Sequence, residues 1–377
     1  MRIAYLSGDT IPSRSAESIF VMKMCRSLAL LGNDVDLYIK TAHSSRAEAK
    51  TDPFAYYGVG RIFNINHMTP PKIPGNSYWH ALLSAYRAKQ SKPDLIYSRM
   101  ALGSLFSALE EFPTVLELHR PIEKGRPIVA HALRVLFHRP SFKSLVVITD
   151  ALRLHYEARY PSLKGRILVA ADGADPLNHD VEPETLDADR RRPQVGYVGH
   201  LYEGKGAELV VEIARRTPDF DYHLIGGTET DLHYWRSRND LPSNVRLHGH
   251  IPHAQVPSYL LAFDTLLLPN QPHVYTASGT IDIGAWTSPL KLFEYMAAGR
   301  AIVCSDVPVL QEVAQDGVNM LVRRHDNVDD WVNALELLNS SPLLRESLGK
   351  TAREQLERRY SWNRRAEYLL DHVNRLT

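Results

Sequence analysis

Ser288-Pro289-Leu290-Lys291-Leu292-Phe293-Glu294-Tyr295-Met296-Ala297-Ala298-Gly299 is the stretch from which the rest of the chain is read. Ser288 reads as a helix N-cap, Pro289 as the first helical residue and Gly299 as the stop. Between them Leu292, Phe293, Met296 and Ala297 share one face. The i, i+3, i+4, i+7 spacing puts Lys291, Glu294, Tyr295 and Ala298 on the other. The helix is thus predicted to bury one face and to carry a cation and a carboxylate on the opposite one. Its open N–H groups and positive dipole end suit an anion such as a diphosphate. An aperiodic loop of about 20 residues, 269–288, leads into it from the apolar strand Thr265–Leu268, and loops of that length in compact domains tend to be functional. Spacing alone leaves a plain surface pair between Lys291 and Glu294 equally open.

The whole chain sets the frame for that helix. Its 377 residues are too many for one typical core and predict two domains. Hydrophobic content of 44% with 23% charged residues describes a globular protein without a bilayer-spanning apolar run. A net charge of +1 gives no global field toward nucleic acid or an anionic membrane. The opening MRIAYLSGDT reads as a strand and a turn rather than a signal peptide. Cys25 and Cys304 lie far apart without metal spacing, which fits a reduced, cytoplasmic setting.

Upstream of the central helix, the strand Gln194–Val198 runs into Gly199-His200-Leu201-Tyr202-Glu203-Gly204-Lys205-Gly206 and then a helix over 207–215. Strand, glycine-rich loop with a lysine, and helix form a phosphate-binding outline. The spacing is neither a dinucleotide fingerprint nor a Walker loop. His248, His250 and His253 crowd together, but their spacing is not helical and no acidic or thiol partner is local, so no metal is predicted. In the second half, strands are expected over 222–225, 244–247, 301–304 and 319–322. Helices are expected over 255–262, 308–314, 328–338, 343–358 and 361–375.

The first half alternates in the same way, with strands over 3–6, 35–39, 61–65, 94–97, 114–118, 145–148 and 166–169, which implies a parallel sheet. The loop 7–18 follows the first strand at the sheet's carboxyl edge, so Ser13, Arg14 and Ser15 face either a substrate or plain solvent. His119 ends the strand Thr114–Leu118, where an imidazole can donate to a substrate hydroxyl or phosphate, or serve the fold alone. Arg134, His138, Arg139 and Lys143 make the end of a helix over 128–137 basic, which suits peripheral contact with a membrane, an anionic acceptor or simple solvation. The polar stretch 178–192 reads as the linker.

Three segments then carry a family likeness. GYVGHLYEGKGAELVVEIA (196–214), NVRLHGHIPHAQVPSYLLAFDTLLLP (244–269) and SPLKLFEYMAAGRAIVCSD (288–306) resemble, in order and spacing, the donor half of family-four retaining glycosyltransferases of the GT-B fold. RILVAADGADP (166–176), ELHR (117–120) and YSWNRRAEYLL (360–370) resemble that family's pre-linker turn, strand-end histidine and last helix. The resemblance implies an α/β architecture of two Rossmann-like domains facing across a cleft. Residues 1–187 are then the acceptor domain, 188–359 the donor domain, and 360–377 a helix crossing back to the first.

It also implies roles. Glu294 accepts hydrogen bonds from the ribose of a nucleoside-diphosphate sugar, and Lys205 binds the diphosphate. Backbone N–H groups at Leu290 and Lys291 cap the same phosphates, beside Ser288, Gly199 and His200. The backbone near Ile251 faces the base, and His119 contacts the transferred sugar. The partners implied are a nucleotide sugar and a hydroxyl acceptor (polysaccharide, lipid-linked or small), with no metal cofactor and no nucleic acid. Two positions depart from the pattern. Trp286 stands where the family often has a Glu eight positions before the second Glu, and His200 where it often has Arg. Asp282 or the segment 283–288 must then serve the donor sugar. An epimerase or hydrolase of the same fold, or a non-catalytic nucleotide-sugar-binding subunit, stays open beside the transferase.

Overall fold

A computed structural model describes residues 1–41, 51–71, 73–178, 180–186, 191–238, 240–275 and 281–376. They divide into two compact units, Met1–Asp172 with Trp362–Thr377, and Gly173–Ser361. The boundary expected at 187/188 lies outside the described residues.

In the first unit seven strands form one sheet: β1 (Arg2–Thr10), β2 (Asp34–Lys40), β3 (Asn64–Met68), β4 (Leu95–Ser98), β5 (Thr114–Leu118), β6 (Phe142–Val147) and β7 (Ile167–Val169). Their order is β3-β2-β1-β4-β5-β6-β7, and every paired neighbour is parallel. Parallel pairing needs crossovers, supplied here by α1 (Ala16–Leu30), α2 (Pro53–Tyr57), α3 (Asn76–Gln90), α4 (Ala101–Leu109), α5 (Pro127–Phe137) and α6 (Asp150–Arg159). The strands β4 and β5 are buried along their whole length, including the polar Ser98, Thr114 and Glu117. Two strands differ from expectation, and α2 falls in a stretch read as loop. Polar residues extend β1 through Thr10, which pairs with Lys40 after a register shift. The strand expected over 61–65 is β3, an edge strand whose polar Asn64 and His67 are exposed, so no apolar run marks its ends.

The second unit has its own sheet: β8 (Gln194–Val198), β9 (Asp221–Ile225), β10 (Val245–Gly249), β11 (Thr265–Leu268), β12 (Ala301–Ser305) and β13 (Leu321–Arg323). These parallel strands run β10-β9-β8-β11-β12-β13. Helices α7 (Ala207–Arg216), α8 (Glu229–Ser237), α9 (Val256–Leu261), α10 (Leu290–Ala298), α11 (Pro308–Gln311), α12 (Val328–Ser340) and α13 (Pro342–Gln355) accompany them. Helix α8 was not expected. Only Leu232 and Trp235 of it are buried, too few for a period, but Thr228 and Asp231 form a reciprocal capping box that was legible.

A π-helical turn, Leu356–Tyr360, follows α13. The last helix, α14 (Trp362–Asn374), belongs to the first unit and packs on α1. Where the chain enters the second unit, Ala174 bridges Ser361 in parallel and its N–H donates to Tyr360 O at 3.2 Å. Among the described residues no helix is long and apolar enough to cross a membrane.

Candidate functional site

The strand order of the second sheet reverses between β8 and β11, so the loops after these strands flank its switch point, where open α/β sheets bind ligands. The two loops are pressed together. Gln271 N donates to Gly204 O at 2.9 Å. A Cβ on Gly206 would sit 1.9 Å from Pro269 O, and its φ of +83° suits only glycine. Residues 276–280 of the second loop lie outside the described set.

Helix α10 closes this site, with two corrections to its expected form. Pro289 is the N-cap and Leu290 the first helical residue, while Ser288 is buried one step earlier. Proline at φ −74° with extended ψ already sets the entry, so the cap falls on it. Gly299 ends the helix in the left-handed conformation, as expected. The second correction concerns the face read as outward. Tyr295 is fully buried, accepting from Val198 N–H at 2.8 Å and donating to Val198 O at 3.2 Å. Lys291 is buried as well. That face meets the end of β8 rather than solvent.

Glu294 alone on that face keeps partial exposure. Its Oε1 accepts from His253 Nε2 at 2.8 Å, and Oε2 makes no hydrogen bond among the described residues. Lys205 is partly buried with its ammonium 5.4 Å from the Tyr202 ring, and burial lowers its pKa to about 8. His200 stacks on Tyr202. Desolvation, then the cations of Lys205 and Lys291, lower its pKa, so it is neutral at neutral pH. Ile251 is partly buried just beyond β10. The N–H groups of Leu290 and Lys291 open α10, where a helix leaves donors unused. Asp282 holds the loop itself. Its Oδ1 accepts from the N–H groups of Val274 and Gly284, and its Oδ2 from His273.

In the first unit His119 stands at the end of β5 but turns inward. Its Nε2 donates to Glu117 Oε1 at 2.8 Å, and its ring meets Phe20 edge-on. Desolvation and then Arg99 lower its pKa to about 4. The ring is therefore neutral with its proton on Nε2, and Nδ1 is left as an acceptor. That differs from the donating role read from the strand end. Glu117 is fully enclosed, accepting from Arg365 Nη2 at 2.6 Å and from the Tyr97 hydroxyl. Burial pushes its carboxyl up, but Arg365, His119 and Arg99 more than offset this and hold it far below the usual range. Ser13 and Ser15 serve the fold. Ser15 caps α1 by accepting from Ser18 N at 3.1 Å, and Ser13 bonds to Tyr57 and Ser18. Arg14 is exposed.

Residues 179–355 match the model of glycosyl transferases group 1, and they span most of the second unit. The second unit is a glycosyl transferases group 1 domain. Spore coat protein SA of Bacillus subtilis is 26% identical over 251 residues, 61% of this chain and 64% of that protein, so the match spans less than two thirds of that relative. The D-inositol 3-phosphate glycosyltransferase of Corynebacterium urealyticum is 22% identical over 98% of this chain and 95% of its own length. Among solved structures, Anabaena HepE in complex with UDP superposes with a TM-score of 0.72 at 15% identity, covering 100% of both chains. The chain has the GT-B fold.

Within the glycosyl transferases group 1 domain, sequence reasoning missed His253 as the partner of Glu294. The three crowded histidines diverge, since His248 bonds to His223 at 2.8 Å while His253 turns to Glu294. Among the described residues no group of three or more His, Cys, Asp or Glu is placed to hold a metal ion. Outside the domain, Glu117 was legible as a companion of His119, since residues two apart share one face of a strand. Arg365 carried no such signal.

Proposed function

We propose that the chain is a glycosyltransferase that moves a sugar from a nucleoside-diphosphate sugar to a hydroxyl acceptor, with retention of configuration and without a metal. One observation carries the reading: Lys205 and Glu294 stand on the two loops' elements at the switch point of the second sheet. A nucleoside diphosphate is a ribose diol joined to a polyanion, and this pair matches both ends. Oε2 of Glu294 accepts from ribose hydroxyls. The ammonium of Lys205 and the first N–H groups of α10 attract the diphosphate.

In the reaction the bond from the sugar's anomeric carbon to the diphosphate oxygen breaks, and a bond to the acceptor oxygen forms on the same face. The acceptor's proton passes to the departing phosphate. Charge grows on the diphosphate as it leaves, and Lys205 with the helix N-terminus lies where it can stabilise that charge in place. No pair of protein carboxylates of the glycosidase kind is required. His119 offers Nδ1 as an acceptor to a sugar hydroxyl. HepE was solved with UDP and with UDP-glucose, which makes UDP-sugars the first donors to try.

The test is incubation with UDP-glucose and a panel of glycan, lipid-linked and small acceptors, reading UDP release and the product's anomeric configuration by NMR. Acceptor-dependent UDP release with an α-linked product is expected. An inverted product overturns retention, and UDP release at the same rate without acceptor assigns a hydrolase or epimerase instead.

A further inference from the structure

We infer that the side chain of Lys291 is a second cation of the diphosphate site, reaching it from helix α10. The inference rests on the glycosyltransferase reading above and names a group which that reading leaves out.

The geometry comes first. Lys291 is buried on the side of α10 that meets β8. Its Nζ donates to Tyr197 Oη at 3.3 Å and lies 4.4 Å from the centroid of the Tyr197 ring. It also lies 3.6 Å from the point a Cβ on Gly199 would occupy, so the ammonium abuts the bare first turn of the loop. Tyr197 donates its own proton to His200 O, fixing the phenol oxygen as the acceptor for Lys291.

The surrounding charges come next. Among the described residues no carboxylate lies within ion-pair distance of Lys291 or of Lys205. Glu294, the acidic group on the same helix, is engaged by His253. The other groups facing Lys291 are the Tyr197 phenol on β8 and, on the loop, His200 and the like-charged Lys205. An ammonium has three donors, and this one uses a single neutral acceptor. Burying such a group unpaired works against folding, and two lysines set against each other add repulsion. A methionine in place of Lys291 would serve the fold better. An arriving diphosphate reverses that balance, because it brings the charge and the acceptor oxygens both lysines lack.

Burial and then Lys205 hold the Lys291 ammonium well below its usual pKa, and Lys205 is itself lowered to about 8. A dianion restores both, so the nucleotide must bring protons with it in mildly alkaline solution.

The full chain is titrated calorimetrically at about pH 8.5 with whichever of UDP, GDP, ADP and dTDP the wild type binds, in two buffers of different ionisation enthalpy. Lys291→Met and Lys291→Gln are compared, with Lys205→Met as the phosphate-site reference, the parent nucleoside as a second ligand, and melting temperatures taken without ligand. We expect net proton uptake by the wild type. Both Lys291 variants should bind the diphosphate about tenfold or more weakly. They should take up fewer protons, bind the nucleoside as before, and melt no lower than wild type. Variants that bind the diphosphate with unchanged affinity and unchanged proton uptake overturn the role of Lys291 and leave the site of Lys205 and Glu294 standing. Variants that lose diphosphate and nucleoside alike and melt lower mark Lys291 as structural, which also overturns it. A wild type that binds none of the four nucleotides overturns the glycosyltransferase reading instead.

Discussion

Glu294 and His253 are joined at 2.8 Å by a bond that leaves one carboxylate oxygen open to a ligand. On the proposed reading of the site, His253 is a positioning residue. His253→Ala should weaken nucleotide binding by about 0.5–1.5 kcal/mol, the worth of one hydrogen bond, and less than Glu294→Ala does. Calorimetric titration of both variants checks the ranking. Lys205 makes the site sensitive to pH. Its free-state pKa of about 8 lies below that of an ordinary lysine, and a bound diphosphate favours the charged form. Nucleotide affinity should thus fall as pH rises through about 8, a dependence that Lys205→Met should flatten.

His119 titrates with the opposite consequence, for stability. Its pKa is lowered from 6.5 to about 4 in a shell of Glu117, Arg99 and Arg365. Between those values the unfolded chain binds more protons than the folded one, so stability rises with pH across that window and is lost on acidification. The melting temperature of His119→Asn should show a smaller drop between pH 6.5 and pH 4 than that of wild type. The positions of Glu294, Lys205 and His119 were legible because each stands at a recognisable place: a helix face, a glycine loop, a strand end. The direction of Lys291 was not. Helical spacing separates two faces but does not say whether both are covered, and α10 is buried nearly all round.

At the scale of elements, the glycine-rich loop and the loop after β11 form one backbone contact. Gly206→Ala places a methyl against Pro269 O at a left-handed residue. It should lower stability by about 1–3 kcal/mol and abolish nucleotide binding, read by chemical denaturation and titration. Helix α10 is tied to β8 by the Tyr295 hydroxyl, which satisfies both polar groups of Val198. Tyr295→Phe leaves that buried N–H unpaired and should cost about 1–3 kcal/mol of stability. Element order was largely legible because buried parallel strands are unbroken apolar runs between amphipathic helices. The misses included β3 and α8, both poor in buried apolar residues. Their ends are set by sheet pairing and by a capping box, which apolar periodicity does not report.

At the scale of the molecule, the chain returns to its first unit through α14, and Arg365 is what fastens it. Its guanidinium bonds to Glu117, Ala170 O and Ala171 O and lies over Phe20 at 4.7 Å. Both side chains of the Arg365–Glu117 pair are essentially fully buried. Arg365→Met strands an enclosed carboxylate and should destabilise the first unit by about 3–5 kcal/mol, while adding Glu117→Gln should recover part of that in a double-mutant cycle. No local signal announces a pair 248 positions apart, which is why the sequence suggested the returning helix but not its anchor.

The central claim is that the glycine-rich loop and helix α10 form a nucleotide-sugar site. Calorimetric titration of wild type and Glu294→Ala with UDP, GDP, ADP and dTDP tests it most directly. The account predicts that wild type binds at least one of the four, and that Glu294→Ala loses about 1.5–3 kcal/mol of that binding. Binding of none, or equal binding by Glu294→Ala, would contradict it.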